Sequence, residues 1–311
     1  MASGLEPKTA RAEMAMAGAR GVTSEMMSKQ PRKDVIRNTI FGSILLLTIA
    51  VALAGLGLLI GKNLVDGASR LNLDLITHNN SSNPEEAGLR NGLIGTLWIM
   101  FFVVVMLVPL GVGAAIFLEE YGNRSSRLIR LIEVNIQNLA AVPSIIYGLL
   151  GLAFIARAPL DLGYVVITAS MTLTLLVLPV VILASREAIR AVPASIREGS
   201  MALGATKWQT IRRQVLPASV PGIVTGVILA LSRAIGETAP LIPLGAATFL
   251  TFTPGPFTEF TAMPITVFTW VKQPQPEFQT LAAAGVLFMI AVLVVMNSFA
   301  IWLRNRYEQS W

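Results

Sequence analysis

Two charged side chains, Arg233 and Glu237, stand four residues apart in the segment LSRAIGETAPL, where the chain is otherwise uncharged from Gln214 to Ser232 and from Thr238 to Thr258. A charge near the centre of a bilayer costs on the order of 2.5–3.5 kcal/mol on insertion scales, so a residue retained there serves either structure or transport. At i, i+4 the two side chains share one helix face and can neutralise each other. Arginine offers a planar, permanently charged fork that suits a tetrahedral oxyanion. Glu237 would balance Arg233 when the site is empty and keep anion binding weak enough for release. Gly236 would let a ligand or backbone approach closely, and Thr238 adds a hydroxyl. The same residues also fit a salt bridge between helices or a helix end at the outer interface, and both readings stay open on residue type alone.

Other chemistry is sparse. The sequence has no cysteine, which removes disulfides, thiolate metal sites and thiol nucleophiles. Its one histidine, His78, lies in a polar stretch with Asn79, Asn80, Ser81 and Ser82. No nucleophile–base pair or metal-ligand cluster stands out, which argues against an enzyme. The phosphate-cradling pattern G-x-x-x-x-G-K-[ST] is missing, since the one Gly-Lys pair, Gly61-Lys62, is followed by Asn63. If ATP drives this chain, another subunit must bind it.

The segment 186–217 carries the second constellation. Ser195 with Glu198 three residues on reads as a capping box, and so does Thr206 with Gln209. Gly204 suits the left-handed position after a first short helix. The second helix is predicted to end at Pro217. Isolated helices below about 12 residues are marginal in water, so this hairpin needs a surface to pack on. Its apolar residues Ile196, Leu203, Trp208, Ile211 and Val215 recur at helical spacing among Arg197, Lys207, Arg212 and Arg213. That is the form of a helix-in-groove ligand. An amphipathic loop lying on the membrane or on its own helix ends would read the same way.

The elements that position these groups follow from composition. The 311 residues are 54% hydrophobic and only 14% charged, against about 25% charged in an average soluble domain. With a mean hydropathy of +0.65, the chain reads as an all-α integral membrane protein. A span needs about 20 apolar residues. Uncharged stretches at 38–61, 91–118, 134–156, 162–185 and 278–303, with a further one from Arg213 to Ser232, give six transmembrane helices. The segment 239–277 contains Pro240, Pro243, Pro254 and Pro256, which remove donors and break helices. It is read as irregular or re-entrant on the outer side; reading it as spanning would give seven.

With six spans, 18 of the 24 Lys and Arg fall on one side and 5 on the other, Arg233 being the remainder. Basic residues accumulate in the cytoplasm, so both termini are predicted inside. The organisation is then a flexible cytoplasmic tail at 1–37, a first span at 38–61 acting as an uncleaved anchor, an outer loop at 62–90, a core at 91–303 and a short tail at 304–311. Gly57 with Gly61 and Gly222 with Gly226 form G-x-x-x-G pairs suited to close helix packing. Pro143 and Pro179 should kink their spans, and Asn135, Gln137 and Asn138 are expected to face the bundle interior.

The run EGSMALGATKWQTIRRQVLP, Glu198 to Pro217, resembles the EAA loop of ABC importer permeases. Glu198, Gly204, Leu216 and Pro217 match that pattern in type and spacing. Gly199 and Ser200 stand for its two alanines, and Gln214 replaces its usual isoleucine. The resemblance implies a type I ABC importer permease fold, with the loop seated in a cleft of a cytoplasmic ATPase through Glu198, Leu203, Gly204, Ala205, Trp208, Leu216 and Pro217. Arg-Ala-Ile-Gly-Glu-Thr, PLGVGAAIFLEEYG (Pro109 to Gly122) and NLAAVPSIIYGLLGLA (Asn138 to Ala153) resemble phosphate-specific permeases of the PstA type. That implies phosphate import, with Arg233, Glu237 and Thr238 on the substrate pathway. The implied partners are a homologous permease, an ATPase dimer that binds ATP and magnesium, and a periplasmic phosphate-binding protein, with no cofactor on this chain. A permease for molybdate or sulfate, or the sister phosphate subunit, would look similar, and a proton-coupled transporter using Glu237 is the competing class.

Overall fold

Residues 32–123, 125–247, 250 and 252–307 are described by the structure, a computed structural model. The tail expected over 1–37 lies outside the described residues as far as position 31, as do positions 308–311. The chain divides into two compact units, Met1–Lys62 and Asn63–Trp311. Most of the first long helix, α1 (Arg32–Gly67), belongs to the first unit. It is apolar all round, as a helix in lipid must be.

In the second unit a four-residue helix, α2 (Asp74–Thr77), precedes α3 (Arg90–Ile116), which runs into a wider π turn at Phe117–Tyr121. Then come α4 (Arg127–Ala140), α5 (Ser144–Leu150, extended by a π turn to Ala156) and α6 (Val166–Arg190). The inner hairpin begins with α7 (Ala194–Ala202). A further helix starts as α8 (Lys207–Thr210), widens at Ile211–Val215 and continues as α9 (Leu216–Gly236). Two helices close the chain, α10 (Met263–Val271) and α11 (Pro276–Tyr307). Among the described residues five helices are long and apolar enough to cross a bilayer, and the pair α4–α5 makes a sixth if it counts as one span.

That pair is bent where Pro143 is expected to kink its span, and more sharply than a kink. The stretch 134–156 reads as one span, yet α4 and α5 meet at 105°. The cause is local: Pro143 pushes the residue before it out of helical geometry, and the chain turns at Ala141–Pro143. The Tyr147 hydroxyl donates to the Leu139 carbonyl at 2.8 Å, which also accepts from the Val142 N–H at 3.2 Å, and so ties α5 back to the end of α4. By contrast α6 runs uninterrupted through Pro179.

In lipid, close packing replaces hydrophobic transfer as the force that holds helices together. Ile99, Val103 and Leu107, one per turn of α3, meet Leu173, Val177 and Val181 of α6 and Ala230 and Ala234 of α9 in the central core. Gly222 and Gly226 let α9 lie directly on α6: a methyl group at Gly222 would stand 2.6 Å from the Ala188 Cβ, and one at Gly226 would overlap Ala184. Buried hydroxyls on α6 stay local, Ser170, Thr172 and Thr174 each donating to the carbonyl four residues back at 2.7–2.9 Å.

The outer loop 62–90 is a packed cap. Its Leu75, Ala87 and Leu89 join Trp270 of α10 and Phe278 and Leu281 of α11 in one buried cluster. The Trp270 indole donates to Asn80 Oδ1 at 2.9 Å. The segment 239–277 turns irregularly through residues 239–245 before forming α10. It reaches down the bundle, because Pro240 lies against Gly148 of α5, where a Cβ would come within 2.7 Å of the Pro240 Cα.

Candidate functional site

At the inner end, α7 starts straight after Pro193, so Ser195 and Glu198 fall inside the helix and form no capping box. Pro193 itself takes the N-cap position with an extended ψ of 141°, and no side-chain cap is made there. The helix ends in a Schellman motif: Gly204 N donates to Met201 O at 2.9 Å and Ala205 N to Ser200 O at 3.3 Å. Gly204 takes the left-handed φ of +85° that this closure requires. The second capping box is formed, Thr206 N donating to Gln209 Oε1 at 2.8 Å and Gln209 N to Thr206 Oγ1 at 3.3 Å. From there the helix does not stop at Pro217. The widened turn at Ile211–Val215 precedes a proline in the first turn of α9, where its missing N–H does little harm.

The hairpin's apolar residues split into two sets. Ile211 and Val215 are each 1% exposed, and Val215 packs with Ile196 on the cluster formed by Ala115, Ile189, Val192 and Ile223. Leu203 is 91% exposed and Trp208 54%. One set therefore anchors the hairpin on its own helix ends, and the other is presented outward. A cleft of ≈ 400 Å³ between the two arms is lined by Ser195, Gly199, Leu203, Ala205, Gln209 and Gln214, among others. Gln214 is exposed there, which is why a polar residue costs nothing at that position. Glu198 and Pro217 are exposed too, and Leu216 is half-buried.

A network of ion pairs fastens this hairpin, and the sequence reading missed it. Arg197 donates to Glu120 Oε1 through Nε at 3.0 Å and Nη2 at 2.8 Å, and to the carbonyls of Val192 at 2.6 Å and Ile189 at 2.8 Å. Glu119 accepts from Arg190 through both oxygens at 3.0 and 3.2 Å and lies 3.5 Å from Arg186. Arg186 reaches Glu133 of α4 at 2.8 Å. The Lys207 ammonium stands 4.8 Å from the Tyr121 ring centre. Two adjacent carboxylates at the end of α3 thus hold both the hairpin and the end of α6. The signal was present: Glu119-Glu120 closes a span on the side where the basic residues collect.

At the end far from the hairpin, α9 finishes at Gly236, and Glu237 is the residue after it, with extended backbone (ψ 105°). Arg233 and Glu237 do pair, at 3.1 Å. They do so within one helix end and join no two helices, so the interhelical salt bridge is not what forms. Arg233 sits in the last helical turn, where the dipole favours a cation. Its side chain stays 45% exposed, against 18% for Glu237. Gly236 has open space around it, Thr238 is half-buried, and the Arg233 charge is within Coulombic reach of the Tyr147 hydroxyl. Glu237 lies 20 residues beyond Pro217, about 30 Å along a helix axis, so the pair and the hairpin occupy opposite ends of one element.

Asn135, Gln137 and Asn138 do not face the interior of this chain; all three are exposed on α4, whose buried side is Ile129, Ile132 and Ile136. His78 stands 3.8 Å from Asp74 in the outer cap.

Residues 108–309 match the family model described as "Binding-protein-dependent transport system inner membrane component". The chain is 33% identical over 284 residues to a phosphate transport system permease protein PstA of Yersinia pestis, covering 88% of this chain and 93% of that one. It is 32% identical to a probable ABC transporter permease protein YqgI of Bacillus subtilis, over 77% of this chain and 85% of the other. Among solved structures, a chain of a bacterial alginate ABC transporter, crystallised with an alginate-bound periplasmic protein, superposes with a TM-score of 0.67 at 17% identity. That match spans 88% of this chain and 96% of its counterpart, and it shows a shared fold.

Proposed function

The chain belongs to the family of inner-membrane components of binding-protein-dependent transport systems, and from that premise we propose that it is the permease subunit of an ATP-driven importer that brings inorganic phosphate into the cell. In this reading it pairs with a homologous permease, a periplasmic phosphate-binding protein docks on its outer face, and two ATPase subunits grip its inner face. ATP and magnesium belong to those ATPases. Both termini lie in the cytoplasm, on the side of the basic loops.

What carries the proposal is the coincidence of two features at the ends of one helix, in a chain one-third identical to a phosphate permease along most of its length. An outward apolar pair, Leu203 and Trp208, fits a groove on the ATPase. A half-exposed arginine, neutralised by a carboxylate 3.1 Å away, fits a transient seat for an oxyanion. Closure of the ATPases would move the hairpin, and Arg233 would lower the barrier for the anion while Glu237 limits its hold. No bond is made or broken by this chain.

The test is reconstitution of the complete transporter in vesicles with phosphate, sulfate and molybdate offered in turn. Phosphate uptake should require ATP, and Arg233→Gln should abolish it while the complex still assembles. Uptake that survives Arg233→Gln removes Arg233 from the pathway. Gradient-driven transport by vesicles lacking the ATPase overturns the importer, and preferential uptake of sulfate or molybdate overturns phosphate.

A further inference from the structure

The most polar surface that the transport reading leaves unused is on α4. Around this helix the exposed arc runs through Arg127, Arg130, Gln137, Asn138 and Asn135, interrupted by Leu131 and Val134. The opposite arc, Ile129, Ile132 and Ile136, packs against Leu118 and Ile182. Asn135 spends one amide hydrogen on the Leu131 carbonyl at 2.8 Å. The side-chain amides of Gln137 and Asn138 are exposed and make no hydrogen bond among the described residues. Carboxamides without partners are expelled by hydrocarbon, so this arc does not face lipid.

Both ends of the arc lead to arginines. At one end, the Tyr147 hydroxyl bonds the Leu139 carbonyl, which puts Asn138 beside a side chain that the Arg233 charge reaches. At the other end, Arg130 lies eight residues from Asn138, about 12 Å along the axis. It lines a cleft of ≈ 260 Å³ with Ile129, Glu133, Arg186 and Arg190. Arg186, only 7% exposed, keeps its Nε donor without an acceptor in this structure.

The geometry points to a hydrogen-bonding track for the anion along α4: Asn138, Gln137 and Asn135 hand a tetrahedral oxyanion from the Arg233 region to the Arg130–Arg186 cleft on the cytoplasmic side. It rests on the importer reading given above and assigns specificity residues for its inner half. The chemistry suits conduction. Arginine attracts the anion, whereas neutral amides offer donors without a trapping charge, and a conducting site must bind weakly enough to release. The alternative occupant of this face is the second permease, which would bury the same amides against its own backbone.

The absence of native cysteine makes the test direct. Asn135, Gln137 and Asn138 are replaced singly by cysteine, with Val295 of α11, an exposed apolar position, as the lipid-facing control. The complete transporter in vesicles is treated with a small anionic methanethiosulfonate. Asn138→Cys should react about tenfold or more faster than Val295→Cys, because the reactive thiolate forms in water and not in lipid. Labelling should stop uptake, and millimolar phosphate should slow it. Reaction of Asn138→Cys as slow as that of Val295→Cys, with phosphate transported normally, overturns the track and leaves the importer standing. Fast labelling that blocks uptake of a different oxyanion keeps the track and overturns phosphate. Should the cysteine variant not assemble, Asn138→Leu is compared with Asn138→Gln. Lost uptake in the first and recovered uptake in the second support the track, and equal uptake in both overturns it.

Discussion

Removing Arg197 tests whether the inner hairpin is a rigid lever or a loose strap. Its guanidinium makes four hydrogen bonds, two to Glu120 and one each to the Val192 and Ile189 carbonyls, all within 2.6–3.0 Å. The side chain is 21% exposed and that of Glu120 9%. Breaking a buried pair by deleting one member costs about 3–5 kcal/mol, and the partial exposure of Arg197 places it near the lower end. Arg197→Met, which keeps the stem and removes the fork, should therefore cost about 3 kcal/mol of hairpin docking, a shift of roughly 150-fold. Glu120→Gln keeps an acceptor and should cost about 1–1.5 kcal/mol. Because the two residues share one interaction, the double variant should fall short of the sum by about 1–3 kcal/mol. Hydrogen exchange over residues 194–205 of the complete transporter reads the docking equilibrium directly. The ratio of phosphate imported to ATP hydrolysed reads its consequence, and that ratio should drop in Arg197→Met while ATP hydrolysis continues. Strict additivity in the double variant, or unchanged exchange across the hairpin, would refute the lever.

Two further variants separate geometry from contact. At Gly204 nothing stands within 4 Å of an added Cβ, but φ is +85°, so substitutions there should be graded by backbone preference alone. Gly204→Asn is tolerated, Gly204→Ala costs about 1 kcal/mol and a β-branched residue costs more; equal uptake across this series would show that the Schellman turn is not needed, whereas Gly204→Asp shares the backbone preference of Asn and should uncouple uptake through its added charge on the presented face while the subunit stays in the membrane. Trp208→Ala, at a side chain 54% exposed, should leave the unfolding free energy of the isolated subunit within about 0.5 kcal/mol of its parent yet lose the ATPase in a pull-down, and retained ATPase with normal uptake would remove Trp208 from the interface.

Spans are legible wherever a helix must satisfy its own backbone in lipid, because that requirement writes long uncharged runs such as 162–185 into the sequence. The glycine turn at Gly204 is legible for a similar reason, since few residues tolerate that φ. What periodicity could not show is where a run bends. An uncharged stretch such as 134–156 reads alike for a straight span and for α4 and α5 meeting at 105°, and only Pro143 hints at the break. The direction of the hairpin charges is not legible either: Arg197 stands among the apolar positions of the loop, and its carboxylate is 77 residues upstream. Pairing over that distance leaves no local pattern. The amides of α4 failed in the same manner, since polar residues within a span announce that they avoid lipid without saying which water or which protein they meet.

The continuity of α8 into α9 decides how an inner event can be felt at the outer pair. A hairpin helix that ended at Pro217 would need a hinge there, and motion of Trp208 would be lost in it. Instead Lys207 to Gly236 forms one helical run of 30 residues, so Trp208 and Arg233 lie on the same rod. α9 is held against α6 by the close contacts of Gly222 and Gly226 with Ala188 and Ala184, which permit sliding or rocking of smooth faces more readily than separation. The rod then pivots about the widened turn Ile211–Val215, whose Val215 rests on the cluster of Ala115, Ile189, Val192 and Ile223. A small tilt about that point swings a site about 30 Å away through a larger arc than it moves the hairpin. This lever ratio would let a modest displacement of the hairpin move Arg233 relative to Tyr147 and Pro240, which ride on α5 and on the turn beyond α9. Stiffening the pivot while leaving both ends intact should therefore block transport without loosening either the ATPase or the ion pair.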